Sequence, residues 1–320
     1  MADVRTLTYS AGYGDSIVDE VDELITNIAP TETPFISSIG KAKCDTTTPD
    51  WLEDDLEPAA KNAHVEGDDT EAEALSTPER LKNVTQILKK SFFLSGTMQA
   101  SKMNGRKDEL NYQSGKKTKE IAKDTEYAAL NNESLVAGDT SVAREMKGAV
   151  GWVDKASGSY YDFNNTPAAT NHITEDILTD VLQSMWEKGA TPTTVLAPPS
   201  QKRKISKFTD GGRIAFNANA SQKKITMAVR LIETDFGVVA VIPTRTLEAV
   251  DKSGTMYDRV LIYDKALFEV LTLKGRGLKR DTLAKTGDGT KFQLVTEKTL
   301  KCRSKKAVGL IDNLTRVKVA

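Results

Sequence analysis

The stretch between residues 45 and 80 constrains this chain more than any other. It carries Asp45, Asp50, Glu53, Asp54, Asp55, Glu57, Glu66, Asp68, Asp69, Glu71, Glu73 and Glu79 against only Lys61 and Arg80. Its middle, EPAAKNAHVEGDDTEAEALSTPER, is too polar to build a core of its own. Directly after it, LKNVTQILKKSFFLSGT turns β-branched and aromatic over residues 84–94, and Gly96 closes the run, which predicts a strand. Residues 51–56 are its expected upstream partner. The result is a long two-stranded excursion with a charged tip. An isolated hairpin is marginal in water, so an excursion this long needs a surface to lie against, and a neighbouring copy supplies one.

The sign of the charge reverses at the other end. After Leu273 the chain carries Lys274, Arg276, Lys279, Arg280, Lys285, Lys291, Lys298, Lys301, Arg303, Lys305, Lys306, Arg316 and Lys318, opposed by Asp281, Asp288, Glu297 and Asp312. The two biases cancel to a formal net charge of −1, so bulk charge marks neither a DNA-coating protein nor an acidic tail. Complementary patches of this kind set register when identical chains associate head to tail. They are also what two unrelated solvated faces look like.

The rest of the chain reads as mixed structure. Residues 1–45 form an arm with one short amphipathic stretch (Ile17, Val18, Val21, Leu24, Ile25, Ile28), ended by Pro30, and with Phe35, Ile36 and Ile39 as apolar anchors that dock elsewhere. Residues 108–132 predict one helix, nearly 40 Å long at about 1.5 Å per residue, sparse in apolar residues and weakest at Gly115. Residues 136–171, rich in Gly, Ser and Asn, read as a linker. Thr174 caps the clearest helix, with Ile177, Leu178, Val181, Leu182, Met185 and Trp186 on one face and Gly189 as its stop. Strands are expected at 193–197, 225–233, 237–242, 260–263, 267–273 and 292–303, with 308–311 adding to the last, and Ser200 caps a helix to Phe208. Helices and strands alternate without a βαβ repeat, so the fold class is α+β.

Chemistry is scarce. Cys44 and Cys302 form neither a disulfide framework nor a zinc cluster, and two distant thiols fit a reducing compartment. His64 and His172 stand at no metal-ligand spacing from Cys or carboxylates. Gly275-Arg276-Gly277 and Gly12-Tyr13-Gly14 lack the rest of a phosphate loop. The Ser-x-x-Lys spacings at Ser38–Lys41 and Ser221–Lys224 are what a Lys-rich chain contains by chance. GDDTEAE lacks the spacing of a calcium loop, and Lys202-Arg203-Lys204 lacks the interleaved aromatics of a nucleic-acid face. No metal, cofactor or catalytic residue is expected. A hydrolase built on His64 or His172 is the competing reading from another class. The N-terminal stretch MADVRTLTYSAGYGD has no apolar run of signal-peptide length, and no run approaches the ~20 apolar residues of a membrane span.

The order of parts resembles the major capsid (major head) proteins of tailed bacteriophages. The local text ITNIAPTETPFISSIGKAK, then Trp51-Leu52-Glu53-Asp54-Asp55-Leu56 and AAKNAHVEG, carries the likeness most specifically. It implies the tailed-phage capsid fold: residues 1–45 as N-terminal arm, 46–104 as extended β loop, 105–135 as spine helix, 172–265 as axial domain, and 136–171 with 266–320 as peripheral domain. It implies a virion protein, assembled in the host cytoplasm. Copies would join as hexamers and pentamers into an icosahedral or prolate head around double-stranded DNA, which is met on the inner face without sequence specificity. Portal, scaffolding and decoration proteins are the further partners, with any scaffold or protease a separate chain, and no membrane is involved. An encapsulin-like cellular compartment is the alternative on the same fold. Under either reading Asp68, Asp69, Glu71 and Glu73 would meet basic surface on an adjacent copy, either Lys116, Lys117, Lys119 and Lys123 of the spine helix or the C-terminal cluster.

Overall fold

The computed structural model describes residues 33–316 apart from 58, 68, 70–74, 101–108, 164–170, 209–230, 251–255 and 286. In chain order, α1 (Pro34–Ser38) leads into β1 (Gly40–Cys44), β2 (Asp50–Glu53), β3 (Glu79–Lys82) and β4 (Gln86–Ser95). There follow α2 (Gly96–Ala100), the long α3 (Glu109–Asn131), β5 (Tyr160–Asp162), α4 (Glu175–Glu187), β6 (Thr194–Ala197) and α5 (Pro199–Ile205). The strands that follow are β7 (Leu231–Thr234), β8 (Gly237–Pro243), β9 (Glu248–Val250), β10 (Met256–Tyr263), β11 (Phe268–Leu273), β12 (Lys279–Thr282), β13 (Gly289–Cys302) and β14 (Val308–Thr315), with a C-terminal 3-10 turn (Lys305–Ala307) between the last two. The arm's amphipathic stretch, Ile17 to Ile28, lies outside the described residues.

Two sheets organise the body. One runs β1-β11-β13-β12 with β4 also on β13, and the other runs β5-β14-β10-β6-β8-β7 with β9 on β10. Strand β10 shows why the second sheet is central. Its sequence MYDRVLIY is buried from Tyr257 onward, and with a side-chain period of two it serves two cores at once. Val260 and Ile262 pack with Leu178, Val181, Leu182 and Met185 of α4. Leu261 and Tyr263 face the opposite layer, with Ala128, Ala129 and Leu130 of α3, Met146 and Trp152. Each large side chain so buried contributes about 1.5–3 kcal/mol.

Local signals hold where they are strongest. Thr174 Oγ1 accepts a hydrogen bond from the Ile177 N–H at 3.3 Å, capping α4, and Gly189 sits just past its end at φ +85°. Trp186 departs from the expected face and is 54% exposed. At about 100° per residue it swings past the stripe set by residues 178, 181, 182 and 185, and its ring rests 6.0 Å from that of Phe236.

Three expectations need correction. Residues 51–56 do not pair with residues 84–94. Asp50–Glu53 pairs with Glu79–Lys82, while β4 runs antiparallel to β13 along its whole length. Leu88 and Phe92 of β4 pack with Ile121 of α3 and Leu294, whereas Trp51 of the upstream strand turns to Trp152 in a different cluster. Second, the "linker" is core around residues 146–153: Met146, Ala149, Val150, Trp152 and Val153 are all buried. Its glycines serve close packing rather than flexibility. A Cβ on Gly148 would stand 2.7 Å from the Ala128 carbonyl oxygen, and one on Gly151 2.4 Å from that of Glu133. The loop's N–H groups of Gly148 and Ala149 donate to the Asn132 and Ala129 carbonyls, satisfying acceptors that a helix end leaves open. Third, Ser200 caps nothing. The N-cap of α5 is Pro198, and the Ser200 hydroxyl donates to buried Asp258.

Candidate subunit interface

The excursion is gripped at its root. Leu81 is buried in the core, and the Trp51 ring lies 5.7 Å from that of Trp152, with the Lys301 ammonium 5.8 Å from the Trp51 centroid. Arg80 pairs with Asp50 across the two-stranded ladder. The C-terminal turn closes the grip: Lys305 Nζ reaches Glu79 at 2.5 Å and Lys306 Nζ reaches Asp55 at 2.6 Å, while the Lys305 N–H donates to Glu53. Part of the acidic–basic complementarity legible in the sequence is therefore used within one chain. Such half-exposed pairs contribute about 0–1 kcal/mol each, so they aim the excursion more than they stabilise it. A cleft of about 550 Å³ opens beside the root, lined among others by Asp54, Ser76, Asp154 and Lys188.

Beyond the root, every described residue from 54 to 78 is exposed. Leu56 is 99%, Val65 79% and Leu75 94% exposed. Single exposed aliphatics are ordinary; here three nearly bare ones share a segment with neither helix nor ladder among its described residues. Asp69 is exposed on this segment. Asp68, Glu71 and Glu73 lie outside the described residues.

On α3, Lys116 and Lys119 are exposed and Lys117 and Lys123 half-buried. Lys117 is engaged by Glu120 at 2.8 Å. Among the described residues no ion pair joins the excursion to α3. A second open surface lies on β4, where Ile87 and Phe93 are about half exposed beside exposed Lys89 and Lys291.

Sequence reasoning missed the buried charges. Glu297 accepts from Thr85 Oγ1 at 2.6 Å and from Arg144 at 2.8 Å, with Arg276 at 3.3 Å. Arg259 donates to Asp312 at 2.8 Å and to Glu133 at 2.6 Å. Burial opposes ionisation of Glu133, but the Arg259 hydrogen bond and charge hold its pKa below the ordinary value. Glu126, fully buried, accepts from two N–H groups of α1. No local signal separates such residues from the solvated charges around them.

Of the positions weighed for chemistry, Gly12-Tyr13-Gly14 and Ser221–Lys224 lie outside the described residues. His64 contacts Asn62 within the excursion at 2.6 Å. Burial, then the nearby Lys204, lowers the His172 pKa. Cys44 and Cys302 are buried free thiols, and burial pushes the Cys302 thiol up to about 12, far from the reactive range. Ser38 Oγ bonds the Phe35 carbonyl and the Tyr263 hydroxyl, both at 2.7 Å. Among the described residues no cluster of three His, Cys, Asp or Glu has metal-holding geometry, and no helix is long and apolar enough to cross a membrane.

Known proteins share this arrangement. A family model described as SU10 major capsid protein matches residues 4–315. The major capsid protein of Escherichia phage Phieco32 is 38% identical over 111 residues. That stretch is 34% of this chain and 32% of the phage protein, so the match spans about a third of the relative's length. Among solved structures, the capsid of the native GTA particle superposes with a TM-score of 0.65 at 14% identity, covering 97% of this chain and 100% of the other. The holo-SrpI encapsulin complex from Synechococcus elongatus gives 0.58 at 11% identity, covering 93% and 92%. At such identities the likeness is one of fold, and it bears out the α+β capsid architecture expected from the sequence.

Proposed function

Because the chain belongs to the SU10 major capsid protein family, we propose that its copies close into hexamers and pentamers and then into an icosahedral or prolate phage head around double-stranded DNA. Membership makes it a structural capsid protein of the virion. The finer reading is that the assembly works without catalysis, begins in the host cytoplasm, and engages portal, scaffolding and decoration proteins as separate chains. In this reading residues 1–45 are the arm, 46–104 the extended loop, 105–171 the spine helix with part of the peripheral domain, 172–265 the axial domain, and 266–320 the return of the peripheral domain.

The observation that carries the proposal is the bare excursion. Leu56, Val65 and Leu75 face solvent on a segment whose root is held by ion pairs from Lys305 and Lys306. The acidic tip, Asp68, Asp69, Glu71 and Glu73, would lie over a neighbour and meet Lys116, Lys117, Lys119 and Lys123. Lys116 and Lys119 are the more open of the four, whereas Lys305 and Lys306 are already occupied by their own chain. Head-to-tail contacts of this kind close rings, and the opposed charges set the register. A cellular nanocompartment uses the same fold, but the encapsulin likeness stops at the fold, and the family match favours the phage head.

Size-exclusion chromatography with negative-stain microscopy of the purified chain tests the reading. Capsomers or shells are expected as concentration and salt are varied. Monodisperse monomers under every condition would contradict it.

A further inference from the structure

We propose that Glu126 is a proton-operated latch that seats the N-terminal arm on the long helix α3. The inference goes beyond the shell reading and does not rest on it. Helix α1 has only five residues, and its first N–H groups have no partner within so short a helix. Two of them are met from far along the chain. Phe35 N–H donates to Glu126 Oε1 at 2.8 Å and Ile36 N–H to Oε2 at 2.9 Å. The seat is apolar. The Phe35 ring stands 5.1 Å from Tyr263 and 5.7 Å from Phe268, edge to face, and Phe35, Glu126, Tyr263 and Phe268 are all 0% exposed.

Among the described residues the groups facing the carboxyl supply no counter-charge. Helix α1, PFISS, has no ionisable side chain. From β10 comes the Tyr263 phenol, bonded to Ser38 at 2.7 Å and pushed up by burial to about 12, so it is neutral across the range that matters. Among the described residues no ion pair joins Glu126 to Lys123, one turn back on α3. With the arm seated, the carboxyl is therefore dry, held by two N–H groups and by no counter-charge among the described residues. With the arm lifted, it meets water.

Burial without a counter-ion favours the neutral acid. In the seated state burial raises Glu126 from the ordinary 4.5 to about 7, against the pull of the Ile36 and Phe35 N–H groups. The seated state thus binds the proton more tightly than the lifted one. Falling pH closes the latch, by at most about tenfold in the seated-to-lifted ratio per pH unit, over the window between the two values. Above that window the seating is weakest and independent of pH. Residues 1–32 precede α1 in the chain, so the latch acts at the described end of the arm.

Amide hydrogen exchange of the full-length chain from pH 5 to pH 8, corrected for intrinsic rates, tests this. Protection at Phe35 and Ile36 should fall by up to about tenfold per unit between pH 5 and pH 7 and then level off, while α4 amides stay flat as an internal reference. Glu126→Gln, which cannot titrate, should give a flat profile at Phe35 and Ile36. A flat wild-type profile overturns the proposal whether or not the variant folds, and so does an unchanged pH dependence in Glu126→Gln.

Discussion

Arg259→Met is expected to destabilise the chain by about 3–5 kcal/mol, the cost of leaving a buried charge without its partner. Arg259 lies on β10 with 10% of its side chain exposed, and Asp312 on β14 with 5%. Their contact at 2.8 Å is the charged link between neighbouring central strands. Asp312 also accepts from the Asn313 N–H at 2.9 Å, where the backbone takes φ +57°, a conformation that few residues other than Gly and Asn hold. Without the guanidinium, a carboxylate remains buried beside an irregularity of the β10–β14 ladder that it helps to fix. Glu133 adds little, because its side chain is 51% exposed. Urea unfolding of the purified chain reads the loss as a lower midpoint. The pair Arg259→Met with Asp312→Asn should recover most of it, because the orphaned charge is then gone. A single-variant loss under about 1 kcal/mol would mean that Asp312 finds water or another partner.

Gly148→Ala and Gly151→Ala are expected to cost about 1–3 kcal/mol each or more, the range for forcing atoms into a packed site. Each new methyl would meet backbone rather than a movable side chain: the Ala128 and Ala129 carbonyl oxygens at 2.7 and 2.9 Å, and that of Glu133 at 2.4 Å. Gly115→Ala supplies the contrast. It lies within α3 with nothing near its would-be Cβ, and it should gain about 1 kcal/mol from helix propensity alone. One substitution thus has opposite signs at two places in the same layer, and thermal or urea unfolding of the three variants reads it. The same sign at all three would contradict the packing account.

These glycines also show where sequence reading stops. A run rich in Gly, Ser and Asn signals flexibility by composition, yet Gly148 and Gly151 are small because the end of α3 presses on them. Helix α4 was legible because cap, stripe and stop all lie within sixteen residues, and β10 because buried strands read as apolar runs. The partner of β4 was not, since β13 lies some two hundred residues away and a strand's sequence does not name its partner. Glu126 and Glu297 look like any surface glutamate until the fold closes over them. At the interface, the signs of the two charged regions were visible. Which acids a chain keeps for its own Lys305 and Lys306, and which remain for a neighbour, depends on the three-dimensional root of the excursion.

The central claim is that the acidic tip holds neighbouring copies together, and charge reversal at Glu71 and Glu73 tests it most directly. Glu71→Lys with Glu73→Lys should lower the yield of particles in electron microscopy by tenfold or more. Stability of the unassembled chain should stay within about 0.5 kcal/mol of wild type, as for most surface changes. Adding Lys116→Glu and Lys119→Glu should restore part of the yield. Undiminished particles from the doubly reversed tip would contradict the account.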